Sequence, residues 1–445
     1  MTKEKMVNQS TGVKKGSAFI EELCKRFPDI PRSIVIKSDV LRNGTRFTPL
    51  IHELGKQSFP HFLLWNPDHV WNPDIQGITK GELITVPWKF DLSDDTPVVI
   101  RFDRNSPYEL VRHDDGHLFL HRDGEAIDEI SVEPATEWLY KTTSSGTLMT
   151  SVFMSWTRQG LLACALRYCE YTKTGDTCVY CCLDSTVDEF KDFGPMASMS
   201  LSPKDAAETY RAAQEEVGFI KEASMTGGSL LDTAKEMERY IAIFGAMDKV
   251  RKEMGKPTWF SGCLTARPDL PLIRELKKAG MDSIAPNMDC WEDFLWPEIV
   301  PGKHKFVGRD YWIDSLQKCL EVFGKGNVGS VFVVGPEMSA ASGFTKEEDG
   351  IASWRSCFEW LIERDIVPVT SQWQTEVGSP WSDRVPPSTD YFLSVGRELN
   401  RCMEESGMRK NQHHHPYKNS AWSTDADFRR LVTGCRCDGC LSSGQ

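Results

Sequence analysis

Arg167-Tyr168-Cys169-Glu170-Tyr171-Thr172-Lys173-Thr174-Gly175-Asp176-Thr177-Cys178-Val179-Tyr180-Cys181 places three cysteines on one short loop, directly after the apolar segment Leu161 to Leu166. Three thiolates so placed can hold an iron–sulfur cluster through three of its irons and leave the fourth iron open to a ligand. An open iron predicts chemistry rather than electron storage. The Cys-x2-Cys spacing of Cys178 and Cys181 is shared by zinc ribbons and redox dithiols, so on the cysteines alone a zinc site stays open as a reading. Tyr180, just before the last cysteine, and Thr226-Gly227-Gly228 further along the chain sharpen the cluster reading.

Outward from that loop, the chain alternates between two periodicities. Apolar runs at 162–166, 222–225, 258–261, 283–286, 330–334 and 367–370 read as strands, and the stretches 203–216, 231–254, 271–279, 312–323 and 350–364 read as helices. Strands separated by helices predict a parallel sheet of the α/β class. Six of them predict a partial (β/α)6 TIM-type barrel over residues 147–400. Chemistry in such folds sits at the carboxyl ends of the strands, which is where the three-cysteine loop falls.

The flanking segments differ. Residues 1–30 are polar and read as a mobile lead or a short helix over 18–27. Residues 31–146 read as a β-rich accessory region, from runs at 83–88, 98–102 and 117–121 with Asp115-Gly116 and Asp123-Gly124 as turn signals. Residues 401–445 form a carboxyl-terminal extension with Arg409-Lys410-Asn411-Gln412-His413-His414-His415-Pro416 and Cys435-Arg436-Cys437-Asp438-Gly439-Cys440. It is expected to be an extended segment returning over the barrel or a disordered end.

Bulk properties exclude several classes of partner. With 445 residues, 40% hydrophobic and 26% charged, the chain has the composition of a globular enzyme. A net charge of -12 argues against nucleic acid or an anionic membrane as partner. No apolar run approaches the ~20 residues of a bilayer span, and Met1 to Ser17 has no signal-peptide core, so a cytoplasmic location is expected. In that compartment the 14 cysteines are free thiols or metal ligands, and the 14 tryptophans supply core and pocket walls.

Four stretches together resemble the radical S-adenosylmethionine (SAM) superfamily, closest to its biotin synthase and hydrogenase-maturase branch, over residues 150–400. The first is Cys169-x8-Cys178-x2-Cys181, with a longer first gap than the usual family spacing; Cys164 lies inside the apolar strand and Cys182 directly follows Tyr180-Cys181. The second, Ser224-Met225-Thr226-Gly227-Gly228-Ser229, looks like the Gly-Gly motif that meets the SAM amino group, with Ser229 where many relatives carry Glu. The third is Asn287-Met288-Asp289 followed by Arg309-Asp310-Tyr311, and the fourth is Gly335-Pro336-Glu337 after an apolar strand. Cys263 matches one ligand of a second, sulfur-donating cluster, but the other ligands are missing, which argues against sulfur insertion.

The resemblance implies a four-iron, four-sulfur cluster on Cys169, Cys178 and Cys181, with SAM bound by Tyr180, Thr226, Gly227, Gly228, Asn287, Asp289, Arg309 and Glu337. Arg309 would clamp the SAM carboxylate and Glu337 would touch the adenosine. Reductive cleavage of SAM would yield a 5′-deoxyadenosyl radical that abstracts hydrogen from a small organic substrate in a rearrangement, a bond cleavage or a methylation. A low-potential donor of flavodoxin or ferredoxin type is the implied partner. Gln372, Trp373 and Glu376 follow the last strand and resemble a substrate-facing wall. Two other readings stay open. One is a peptide or cofactor maturase whose Cys435, Cys437 and Cys440, with Cys402 or substrate as fourth ligand, hold an auxiliary cluster. The other is a zinc- or cluster-bearing scaffold or sensor without turnover. Asp289 and Glu337 could instead cap helices, and Arg309 could be a surface ion-pair partner. His117, His121 and His304 read as lone structural or exposed residues. His413-His414-His415 cannot all face one metal, because neighbours point different ways.

Overall fold

The computed structural model describes residues 17–57, 60–61, 86–157, 159–185, 199–265, 267–376, 378–408 and 421–432. The amino-terminal module holds helices Ala18–Arg26, Arg32–Asn43 and Pro49–Gln57, and an antiparallel pair of β1 (Pro60–His61) and β2 (Val86–Pro87). It is completed by an antiparallel sheet of β3 (Lys89–Leu92), β4 (Pro97–Val99), β5 (Tyr108–Arg112), β6 (Leu118–Arg122) and β7 (Glu125–Ser131), in the order β4-β3-β7-β6-β5. Reading 31–146 as β-rich misses two of these helices. Ile34, Val35 and Ile36 favour strands by their branching, yet the helix Arg32–Asn43 is enclosed by the module, with residues 33–41 all buried. Burial on every side overrides local propensity. The polar groups it carries inward are paired. Lys37 meets Asp427 at 2.6 Å, and Asp39 accepts hydrogen bonds from the Tyr108 hydroxyl and from Thr389 Oγ1. His121 is not a lone residue: its Nε2 lies 2.9 Å from Nε2 of His113.

The second unit begins with β8 (Met154–Thr157) and continues with β9 (Gly160–Leu166), β10 (Glu222–Gly227), β11 (Trp259–Cys263), β12 (Ser283–Ala285), β13 (Gly329–Val334) and β14 (Val367–Gln372). β9, β10, β11 and β12 pair in parallel, with Glu222 opposite Gly160 and Trp259, and β8 runs antiparallel on the outer edge of β9. β13 and β14 are a second parallel pair, joined to β12 and the loop after it by parallel bridges Ile284–Val328 and Asp289–Phe332. Strands β9 to β14 thus follow one another in chain order, alternating with helices, within a mixed α/β fold. Every residue of β9 is buried, the signature of a strand covered on both faces. The helices between are punctuated by their caps. Ser202 accepts from Asp205 N, Asp232 accepts from the amides of Ala234 and Lys235, and Gly255 closes Thr233–Met254 in the left-handed conformation at φ 63°.

The amino-terminal module and the returning chain pack against both the first and the last of these strands. Leu41, Trp88 and Val99 form a cluster with Met154, Leu162 and Ala421, while Gln372 at the end of β14 exchanges hydrogen bonds with Ser38. On β14, the Thr370 amide and hydroxyl both donate to Asp425, at 3.0 and 2.9 Å. Residues 421–432 pack against the strands with Asp425–Leu431 helical instead of extended, whereas Cys435, Cys437, Cys440 and His413 to His415 lie outside the described residues. Among the described residues, no helix is long and apolar enough to cross a membrane.

Candidate functional site

The loop after β9 is held from three directions. Cys169 sits at the N-cap of the one-turn helix Glu170–Lys173. The Glu170 amide donates to Ser229 O at 2.9 Å, and the Glu170 carboxylate accepts from Leu231 N at 2.7 Å, which ties the loop to the end of β10. From below, the helix Pro301–Phe306 docks onto it. Val179 N donates to Ile299 O (3.1 Å), Gly302 N donates to Asp176 O (3.0 Å), Lys305 pairs with Asp176 (2.8 Å) and Phe306 stacks on Tyr171 (5.7 Å). From the β14 side, Trp381 N donates to Val179 O and Ser185 Oγ donates to Gly378 O, both at 3.0 Å. Backbone bonds thus fix the loop at the carboxyl ends of the strands.

Five cysteines in this region divide into two kinds. Cys164 and Cys182 are buried; Cys169, Cys178 and Cys181 are partly exposed. The Cys164 thiol donates to Leu166 O at 3.2 Å, and burial pushes it up to about 11. Burial likewise pushes Cys178 up to about 12, against the pull of the nearby Lys303 charge, and holds Cys181 well above the ordinary thiol range, with Cys178 and Cys182 adding to the effect. Cys169 is also raised by burial, while the amides of Ser229, Tyr171 and Thr172 favour its thiolate; Ser229 N lies 3.5 Å from its Sγ. As anions these desolvated thiols would repel one another, and binding a metal would displace their protons. A single tetrahedral zinc would need its sulfurs about 2.3 Å from one centre. Among the described residues no group of three His, Cys, Asp or Glu side chains is gathered so as to hold one ion. Cys169, Cys178 and Cys181 supply three soft donors on one loop, one of them already receiving an amide, a donor set that suits iron–sulfur ligation.

The two glycines after Thr226 serve the loop itself. The sheet register shifts between Thr226 and Gly227. A Cβ on Gly228 would stand 1.9 Å from Tyr168 O, and one on Gly227 2.8 Å from Leu166 N. The bare backbone that the resemblance assigns to ligand contact is here used to bring β10 against the cysteine loop.

In the loop after β12, Asp289 adopts φ 64°, a left-handed conformation uncommon outside glycine. Its carboxylate pairs with Lys303, whose Nζ also donates to Asn287 O at 2.6 Å and lies 4.6 Å from the centre of the Trp312 ring. Burial works against the Lys303 charge, but Asp289 and the cysteines hold its pKa above the usual value. Asn287 Oδ1 accepts from Val331 N at 3.1 Å, locking β12 to β13. The Tyr180 hydroxyl is buried without a well-formed hydrogen bond, its charged neighbours being Asp289 and Cys178. Sequence reading missed Lys303, since Lys303-His304-Lys305 looks like a solvated basic run. Its one signal is the helix start at Pro301, which turns residue 303 toward the core.

The remaining sequence-predicted residues are already engaged with protein. Arg309 Nε donates to Trp291 O at 3.1 Å, and the guanidinium lies over the Trp291 ring. The Glu337 carboxylate accepts from Gly335 N, Trp354 Nε1 and the Tyr391 hydroxyl at 2.6–2.9 Å, and shares a cavity wall with Asp289 and Trp291. Gln372 is bound to Ser38, Trp373 is buried against Trp381 with its indole N–H unpartnered, and Glu376 pairs with Arg101 of the amino-terminal module at 3.0 Å. The structure therefore gathers Cys169, Cys178, Cys181, Tyr180, Gly227, Gly228 and Asp289 around one loop. It places Arg309 on the Trp291 side, and Gln372 and Glu376 against the module.

No protein-family model and no curated protein matches this chain. Solved structures similar to it include methylornithine synthase (PylB), at 13% identity and TM-score 0.37, covering 57% of this chain and 68% of that one. The FeFe-hydrogenase maturase HydG from Carboxydothermus hydrogenoformans overlaps at 15% identity and TM-score 0.37, covering 52% and 49%. The cobalamin-dependent S-adenosylmethionine radical enzyme OxsB with aqua-cobalamin overlaps at 13% and 0.30, covering 66% and 36%. The chain thus spans about half of the HydG chain. Likeness at this depth decides nothing about the site, whose reading rests on the residues above.

Proposed function

We propose that this protein is a radical SAM enzyme with a partial-barrel catalytic unit, acting on a small organic substrate. The observation that carries the reading is the loop of Cys169, Cys178 and Cys181 at the carboxyl end of the first parallel strand, with Gly227 and Gly228 pressed against it. Those three thiols would hold a four-iron, four-sulfur cluster. Bound there with SAM, it would supply one-electron cleavage of the sulfonium and hydrogen abstraction from the substrate. The chain's own residues bind, orient and shield. Ser229 N donates toward Cys169 Sγ, Asp289 and the Tyr180 hydroxyl present polar groups beside the loop, Arg101 of the module pairs with Glu376 after β14, and Trp381 bonds the loop at Val179. Exclusion of water protects reactive intermediates in such sites.

The test is anaerobic reconstitution. The wild-type chain is expected to turn brown and bind four irons and four sulfides. With dithionite and SAM it is expected to release methionine and 5′-deoxyadenosine. A variant with Cys169, Cys178 and Cys181 all changed to Ala is expected to do neither. A colourless protein carrying one zinc would overturn the proposal.

A further inference from the structure

Lys303 is the least expected group near the loop. A lysine amine is seldom buried without a task, yet Lys303 is only 7% exposed. Its position follows from the helix Pro301–Phe306, clamped to the cysteine loop on both sides of residue 303 by the Gly302–Asp176 and Lys305–Asp176 contacts. Three further contacts fix the ammonium: Asn287 O, the Asp289 carboxylate and the face of Trp312. Asp289 itself is held at φ 64°. Strained backbone persists where surroundings over-determine it, and such residues collect at functional sites.

We propose that Lys303 is the built-in counter-charge of the cysteine loop, a positioning residue tethered by Asp289 that favours the anionic, metal-bound and reduced states of the site. The inference rests on the cluster reading above. Loading the loop converts three thiols to thiolates, and adding an electron makes the site more negative still. A fixed cation in a desolvated setting favours both changes. Asp289 moderates the cation, so the two residues act with opposite sign. Burial costs are offset because Lys303 is paired and hydrogen-bonded even before metal arrives.

The experiment is a redox titration of the reconstituted protein without SAM, followed by electron paramagnetic resonance, with iron content measured in parallel. Lys303→Met is expected to lower the reduced-to-oxidised ratio at fixed potential at least tenfold, about 59 mV for a one-electron couple. Lys303→Arg should stay within threefold of wild type, and Asp289→Asn made in the Lys303→Arg background, where the guanidinium keeps its charge without a partner, should shift the ratio upward. A purely structural lysine would not produce opposite shifts from the two partners. If Lys303→Met keeps wild-type iron and wild-type potential, or if Asp289→Asn in the Lys303→Arg background shifts the same way as Lys303→Met, the assignment is wrong. Should Lys303→Met fail to load iron, Lys303→Arg decides: loading with near-wild-type potential supports the charge requirement, and failure overturns it in favour of packing. A wild-type chain that takes up no cluster removes the underlying reading instead, and this assignment with it.

Discussion

Gly228 shows how a single residue type sets the site. Its missing side chain lets β10 lie against Tyr168 and Cys169, and a Cβ there would meet backbone that cannot rotate away. Gly228→Ala is therefore expected to cost about 3 kcal/mol, the upper part of the overpacking range, and to lower iron uptake on reconstitution. Urea denaturation and iron assay check both, and a variant with wild-type midpoint and wild-type iron would refute the close-approach role. Glu376 carries a pH dependence instead. Burial lifts its carboxyl from 4.5 to about 7, with Arg101 pulling the other way. A raised folded-state value means the native protein holds this proton more tightly than the unfolded chain. Its contribution to stability is then full in acid and lost as pH rises through 7. In Glu376→Gln that loss disappears. The stability difference between variant and wild type should move in favour of the variant by roughly 2–3 kcal/mol from about pH 5 to pH 8. A difference that stays flat across that interval would show that Glu376 is ionised in both states.

At the scale of elements, the strands β9 to β14 and the helices between them were legible because periodicity and length agree. Gly160–Leu166 is apolar throughout, and Thr233–Met254 is bracketed by Asp232 and Gly255. The cysteine loop was legible for the same reason, since its spacing is local. Lys303 and the buried helix Arg32–Asn43 were not, because their setting is made by partners far along the chain, such as Asp289 and Asp427. The commitments of Arg309 to Trp291 and of Glu337 to Trp354 and Tyr391 are hidden from sequence for that reason too. Asp425 is the same kind of residue: it satisfies the Thr370 amide on β14 from 55 residues away. A sheet edge with an unmet amide invites pairing with another chain. Asp425→Ala is expected to destabilise by about 1–3 kcal/mol, the cost of a stranded buried donor, and to raise aggregation on mild heating. Light scattering and a denaturant midpoint measure these, and an unchanged midpoint would mean that water reaches Thr370.

Across the whole molecule, the two hydrophobic cores are not independent bodies. The helix Thr389–Glu405 sends Leu393 into the amino-terminal core, while Tyr391, Val395 and Leu399 lie in the core of the parallel strands. A third cluster, centred on Trp88, joins Leu41 and Val99 to Met154 and Leu162, with Trp422 set edge-on to Trp88 at 5.0 Å. Loss of either core strips partners from the other, so the module packs as one body with the strands and not as an appended domain. Two consequences can be measured. Far-ultraviolet dichroism and tryptophan fluorescence should report one coincident unfolding transition. Trp88→Ala, a large-to-small change in a buried cluster, should lower that whole transition by about 3–5 kcal/mol without splitting it. Two separated transitions, or a Trp88→Ala variant in which one probe shifts and the other does not, would show that the strands stand without the module. In that case Arg101 could not be relied on to pair with Glu376 after β14, and the proposed shielding of the site would have to come from residues 378–384 alone.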